Sequence, residues 1–213
     1  MSTTDLGFVH RFVPASTPGK PPLLLLHGTG GDENDLLALG ARLSPGAALL
    51  SPRGKVLENG MPRFFRRLAE GIFDQEDLKA RTLELADFIA KAREAYGLTK
   101  PIAVGFSNGA NIAASLLLTR PQELASAVLM RAMTPFELPA LPNLTGMPVL
   151  ILSGAQDPIV PAANRDRLAE LLRAAGADVM HEVAPAGHGL SPQDITAAGQ
   201  WLAKRGVVSQ FEI

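Results

Sequence analysis

The sequence predicts an α/β fold: a mostly parallel sheet with helices on both faces and no large cap. Three observations predict it. Strand-like and helix-like stretches alternate along the 213 residues, the order that builds parallel sheets through helical crossovers. Several strand-like runs are continuously apolar, as expected where helices cover both faces. No internal repeat, low-complexity tract, linker or long insertion breaks the alternation, so residues 1–213 are expected to form a single domain.

In chain order, Phe8-Val9-His10-Arg11-Phe12-Val13 alternates apolar and polar residues, like a half-buried edge strand. Residues 14–22 are a turn-rich connection. Leu23 to His27 reads as a buried strand ending in Gly28-Thr29-Gly30-Gly31. A helix is expected over 35–43, with Asp32 or Asn34 as its cap. Ala47-Ala48-Leu49-Leu50 reads as another buried strand. Residues 55–77 are hard to assign, apart from the tight-turn dipeptide Asn59-Gly60. Residues 77–95 carry helical periodicity, with Leu78, Leu83, Leu85, Phe88, Ile89 and Ala92 on one broad face. Gly97 stops it. Pro101 to Val104 is a strand, followed by a helix rich in Ala and Leu. Further strands are expected around 127–130, 148–152 and 179–183, with a helix over 163–175. A final helix opens at Ser191-Pro192-Gln193-Asp194, with Ser191 as cap and Pro192 in the first turn.

Bulk properties exclude several classes. The 20 basic and 21 acidic side chains nearly cancel, which gives no support to a nucleic-acid or anionic-membrane partner. With no cysteine, disulfides, thiolate catalysis and cysteine-bound metals are excluded. Met1 to Leu6 has neither the charged nor the apolar part of a signal peptide, and no apolar run is long enough to span a bilayer. The expectation is a cytoplasmic protein without stable membrane insertion.

Chemistry concentrates at Gly105-Phe106-Ser107-Asn108-Gly109, a G-x-S-x-G turn between a strand and a helix. A serine there is held in a strained backbone that lifts its hydroxyl off the sheet, and the glycines remove Cβ atoms where the two elements cross. A serine hydroxyl needs a base to take its proton and a third group to orient that base. Two histidines follow it. His181 lies mid-strand and reads as structural, whereas His188 lies between glycines in a loop after the last strand and reads as the base. Asp157, just past a strand end, reads as the acid. Oxyanion donors are expected from the backbone amides of Asn108 and of Thr29, in the loop after an earlier strand. Gly28-Thr29-Gly30 is not a dinucleotide fingerprint, because Glu33 stands where a third glycine belongs. His27 reads as a loop-stabilising hydrogen bonder.

With these residues in place the chain resembles small α/β-hydrolases of the phospholipase/carboxylesterase family. The family includes acyl-protein thioesterases and lies near the dienelactone hydrolases. The likeness rests on residues 26–34 (Leu-His-Gly-Thr-Gly-Gly-Asp-Glu-Asn), 105–109, 154–161 (Gly-Ala-Gln-Asp-Pro-Ile-Val-Pro) and 187–190 (Gly-His-Gly-Leu). It implies a Ser107–Asp157–His188 triad, an oxyanion hole from Thr29 and Asn108, no metal and no cofactor. Homodimers are common among its members. Residues 51–68 resemble a bacterial carboxylesterase branch associated with quinone-stress operons. Acyl-protein thioesterases instead carry a Trp-Phe-Asp type of segment there, and Gln where this chain has Asn108.

The expected substrate is a small-molecule carboxylic ester, derived from an aromatic ring or a lysophospholipid. An acyl-protein thioester or a dienelactone-type lactone is the alternative. An alternative of another class is a non-catalytic ligand-binding protein on the same fold. A helix starting at Pro62 would put Arg63, Arg66 and Arg67 on one face. On that reading Arg53, Arg63 or Arg66 pairs with a substrate carboxylate while Phe64 or Phe65 packs against its acyl or ring group.

Overall fold

The structure, a computed structural model, describes residues 6–205. Seven strands form its central sheet. They are β1 (His10–Val13), β2 (Leu23–Leu26), β3 (Leu49–Pro52), β8 (Ile102–Phe106), β9 (Ser126–Met130), β10 (Pro148–Gly154) and β11 (Asp178–Ala184), in spatial order β1-β3-β2-β8-β9-β10-β11. Only β1 runs antiparallel, pairing Val13 with Leu49 and His10 with Pro52. The other six are parallel.

Side-chain alternation along the strands splits the core into two layers. On one face Leu24, Leu26, Leu50, Ala103, Leu129 and Ile151 meet α2 (Gln75–Tyr96), α3 (Asn108–Thr119) and α4 (Ala162–Ala174). On the other, Leu23, Leu25, Val104, Val128 and Leu150 meet α1 (Leu37–Leu43) and α5 (Pro192–Ala203), whose Trp201 closes that layer. The four leucines of β2 are at most 1% exposed. Burial of each such side chain contributes about 1.5–3 kcal/mol relative to leaving it in water.

The helix ends follow local chemistry. Asp74 caps α2 through the Asp77 amide at 3.1 Å, and Gly97 ends it in the left-handed conformation, φ 63°. Ser191 and Asp194 form a capping box at the start of α5, with Pro192 in its first turn. The start of α1 differs from expectation. It begins at Leu37, and its cap, Leu36, provides no side-chain bond. Asp32 instead accepts from the backbone N–H of Asn34, and Asn34 accepts from Arg11.

Residues 55–74 correct a second expectation. No helix starts at Pro62. Strands β4 (Val56–Glu58) and β5 (Met61–Arg63) form a hairpin, and β6 (Arg67–Ala69) pairs with β7 (Ile72–Phe73). Asn59 (φ 51°) and Gly60 (φ 79°) are both left-handed at the first turn, as an Asn-Gly hairpin turn requires. These two small hairpins stand over the carboxyl ends of the parallel strands. They are all that lies between β3 and α2, so no large cap is inserted among the described residues.

Candidate active site

Ser107 sits where β8 ends and α3 begins. Its φ of 52° and ψ of −115° are costly for a residue with a Cβ. Close crossing of strand and helix holds it there. A Cβ on Gly105 would come within 2.6 Å of the Gly109 carbonyl oxygen, and one on Gly109 would overlap the carbonyl oxygen of Leu26. The Ser107 amide donates to Met130 O on β9 at 2.9 Å. Its hydroxyl makes no capping bond to α3 and is turned toward the loop after β11.

There Ser107 Oγ lies 2.8 Å from His188 Nε2, and His188 Nδ1 lies 2.8 Å from Asp157 Oδ2. The carboxylate can only accept, so Nδ1 carries the ring proton and Nε2 is free to accept from the serine. Asp157 follows β10 in a turn where its other oxygen accepts from the amides of Ile159 and Val160, at 2.8 and 3.1 Å. Its side chain is 1% exposed against 21% for His188, so the acid is hidden and the imidazole edge is reachable. The two loops touch. The Gln156 amide donates to Ala186 O at 3.0 Å, and a Cβ on Gly154 would run into the carbonyls of Ala186 and Gly187.

Arg131 fixes the His188 loop from below. It lies directly after β9, itself left-handed (φ 59°), and its side chain is fully buried. The guanidinium donates to the carbonyls on both sides of the histidine, Gly187 at 2.9 Å and Gly189 at 3.0 Å, and to Leu152 O. Its charge is met by Asp194, with bonds of 2.6 and 3.1 Å. Burial pushes the Asp194 carboxyl up, but the hydrogen bonds from Arg131 and Ser191 outweigh it and hold the group below the usual carboxylate range.

A cavity of about 330 Å³ opens beside Ser107, lined by Thr29, Arg63, Arg67, Asn108, Met133 and His188 among others. The backbone amides of Thr29 and Asn108 donate to no protein acceptor among the described residues. Neighbouring bonds hold both in place. Gly30 N–H donates to Pro62 O at 2.9 Å, Arg63 Nη1 donates to Thr29 Oγ1 at 2.8 Å, and Asn108 Oδ1 accepts from the Phe64 amide at 2.7 Å. His27, 1% exposed, spans the same loop. Its Nδ1 donates to Gly28 O and its Nε2 accepts from the Gly54 amide. Burial pushes its pKa below the ordinary histidine value. His181 lies mid-strand as expected, hydrogen-bonded to Ser153 Oγ at 3.0 Å.

The structure thus brings Ser107, Asp157, His188, Thr29 and Asn108 together. Of the five side chains read as substrate-binding, it brings only Arg63 to the cavity. Arg53 turns away to Glu33. Phe64 and Phe65 are core residues, 2% and 0% exposed. Arg66 is 62% exposed and pairs with Asp74 and Asp77. The bend between β5 and β6, rather than a helix, decides which of these face inward. Arg67 and Arg131 were not singled out for the site. Arg131 stands at the end of an apolar strand, and a charge there is an anomaly that could have marked it. Its partner lies 63 positions away, a pairing no local pattern reveals.

Comparison with known proteins bears on the fold and the family. The family described as alpha/beta hydrolase fold matches residues 21–147. A protein of Bacillus subtilis (strain 168) named "Putative hydrolase MhqD" is 48% identical over 181 residues, 84% of this chain and 90% of that one. The crystal structure of the Bacillus cereus carboxylesterase superposes with a TM-score of 0.91 at 47% identity, covering 93% of this chain and 94% of that one. A carboxylesterase from Mesorhizobium loti gives 0.87 at 34% identity, over 94% and 96% of the two chains. The chain belongs to the α/β-hydrolase fold family and is a carboxylesterase-like ester hydrolase.

Proposed function

We propose that the chain hydrolyses small carboxylic esters through an acyl-enzyme on Ser107. Ser107 Oγ attacks the ester carbonyl carbon while His188 Nε2 takes the hydroxyl proton. The imidazolium is stabilised by Asp157, whose bond to Nδ1–H also fixes the tautomer. The carbonyl oxygen, now an oxyanion, accepts from the Thr29 and Asn108 amides. Collapse of the tetrahedral intermediate breaks the bond to the alcohol oxygen, which leaves with the proton from His188. Water then attacks the acyl-enzyme by the same route and releases the acid.

The observation that carries this reading is the continuous chain of two 2.8 Å contacts from hydroxyl to imidazole to buried carboxylate at the cavity mouth. The unpaired amides of Thr29 and Asn108 on the same cavity add to it. A volume of about 330 Å³ lies at the low end for small-molecule sites and favours a short acyl group over a long lipid chain.

The test is steady-state hydrolysis of p-nitrophenyl butyrate. Ser107→Ala is expected to lower kcat by about 10⁶-fold, as in other serine triads, with an unchanged far-ultraviolet circular dichroism spectrum. A folded variant that keeps more than a tenth of the activity overturns the reading.

A further inference from the structure

One wall of the cavity brings two guanidiniums together. Arg63 and Arg67 both line it, and one carboxylate, Glu58, serves both. Glu58 Oε1 accepts from Arg67 Nε at 2.8 Å, and Oε2 lies 3.1 Å from Arg63 Nε. Glu58 does not line the cavity. It meets both guanidiniums at their Nε edges.

The terminal groups are sparingly used. Arg63 donates from Nε to Phe65 O at 3.1 Å and from Nη1 to Thr29 Oγ1. Its Nη2, and both terminal nitrogens of Arg67, have no protein hydrogen-bond partner among the described residues. The Arg63 side chain is 3% exposed and that of Arg67 30%. Burial pushes the Arg63 pKa below its ordinary value. Glu58 counters this, and the charge on Arg67 adds to it. A buried cation with open donors and a like-charged neighbour is stabilised by an arriving anion. Glu70 is the one carboxylate on the cavity lining among the described residues. It is exposed and in ion-pair contact with neither arginine.

We propose that Arg63 and Arg67 form a carboxylate subsite, and that the preferred substrates are esters carrying a free carboxylate on a short acyl chain. This rests on the acyl-enzyme reading above. The bond from Arg63 to Thr29 sets the distance: the subsite adjoins the loop whose amide faces the carbonyl oxygen, so the carboxylate lies only a few bonds from the scissile carbonyl. Planar, forked donors suit a carboxylate, which accepts through two oxygens at once. The reaction is that of a half-ester with water, giving a dicarboxylic acid and an alcohol. The chemistry is shared by lactones that bear a carboxylate, and the assay separates the two sources.

The test compares kcat/KM for monoethyl glutarate, ethyl butyrate and a carboxylate-bearing γ-lactone. Wild type is expected to prefer the half-ester over ethyl butyrate by at least about tenfold, the range of a charge-assisted hydrogen bond. Arg67→Gln should abolish that ratio, and Arg63→Lys should reduce it. Glu70→Gln, which removes the opposing charge at the mouth, should raise it. Arg66→Ala, outside the cavity, should leave it unchanged. Free glutarate should inhibit competitively and glutaramide should not. If the lactone is preferred over both esters, the subsite stands but the half-ester assignment is overturned. Two results overturn the subsite itself: equal kcat/KM for half-ester and ethyl butyrate, or Arg67→Gln slowing both esters alike. The second would place the arginine's effect on the carbonyl oxygen common to every ester. Ethyl butyrate turnover in wild type separates these failures from failure of the serine mechanism, which would remove all three activities.

Discussion

Arg131 is an expensive residue to keep: left-handed, fully buried and charged. Its placement is intelligible through the loop it holds. Five hydrogen bonds from one guanidinium tie the end of β9 to the carbonyls flanking His188, to Leu152 and to Asp194 at the start of α5. Removing the charge alone would leave a buried carboxylate unpaired, a loss of about 3–5 kcal/mol. Arg131→Lys keeps the charge but cannot reach both loop carbonyls. It is expected to lower kcat about 10- to 100-fold, the size of effect that a small displacement of a reacting group produces. KM should change less than kcat, because Arg131, although it contributes to the cavity lining, spends its guanidinium on the His188 loop, Leu152 and Asp194. A large rise in KM with unchanged kcat would show that Arg131 shapes the cavity rather than the imidazole. The sequence places Asp194 in the opening turn of the last helix, where it completes the capping box, but the ion pair that buries it was not legible there.

Among the elements, the β8-α3 junction was the most legible and the 55–74 segment the least. The junction announces itself because its constraints are local: an apolar run, two glycines four positions apart and a run of small helix formers. Gly109 shows how tight it is, since any Cβ there overlaps the carbonyl oxygen of Leu26 on the neighbouring strand. Gly109→Ala must push α3 away from β2. It is expected to cost about 1–3 kcal/mol, as overpacking does, measured by urea unfolding. A variant as stable as wild type would mean that the junction has slack the packing does not suggest. The 55–74 segment misled because an arginine spacing compatible with a helical face was followed past a hairpin signal. Asn59-Gly60 flanked by three-residue strands was the stronger cue. The bend between the two hairpins then buries Arg63, Phe64 and Phe65 in a row and exposes Arg66, which the helical reading could not do.

For the molecule as a whole, a single sheet with one core on each face leaves the carboxyl ends of five strands free to gather functional groups. The loops after β2, β8, β9, β10 and β11 supply Thr29, Ser107, Arg131, Asp157 and His188. That convergence is the usual one for open parallel sheets, and it made the residue types and their order readable before their distances were. The global pH response follows from two histidines outside that group. Burial pushes both His27 and His181 below the ordinary histidine pKa. Between the folded values and about 6.5 the unfolded chain binds protons that the folded chain does not, so stability falls as pH falls through that window and is full above it. Asp194, held low, adds its own loss only further down, beginning near the unfolded carboxylate value of about 3.9. The midpoint of thermal unfolding is expected to drop between pH 7.5 and 5.5, and to drop less in His181→Gln. A midpoint that is flat or rising as the solution is acidified contradicts this.

The central claim is that Ser107, activated by His188 and Asp157, is the nucleophile. Reaction with a fluorophosphonate, read by intact mass and by peptide mapping, tests it most directly. The account predicts one adduct per chain, on the peptide containing Ser107, absent in Ser107→Ala and strongly slowed in His188→Ala. No adduct on the folded wild-type protein, or an adduct on any other serine, contradicts it.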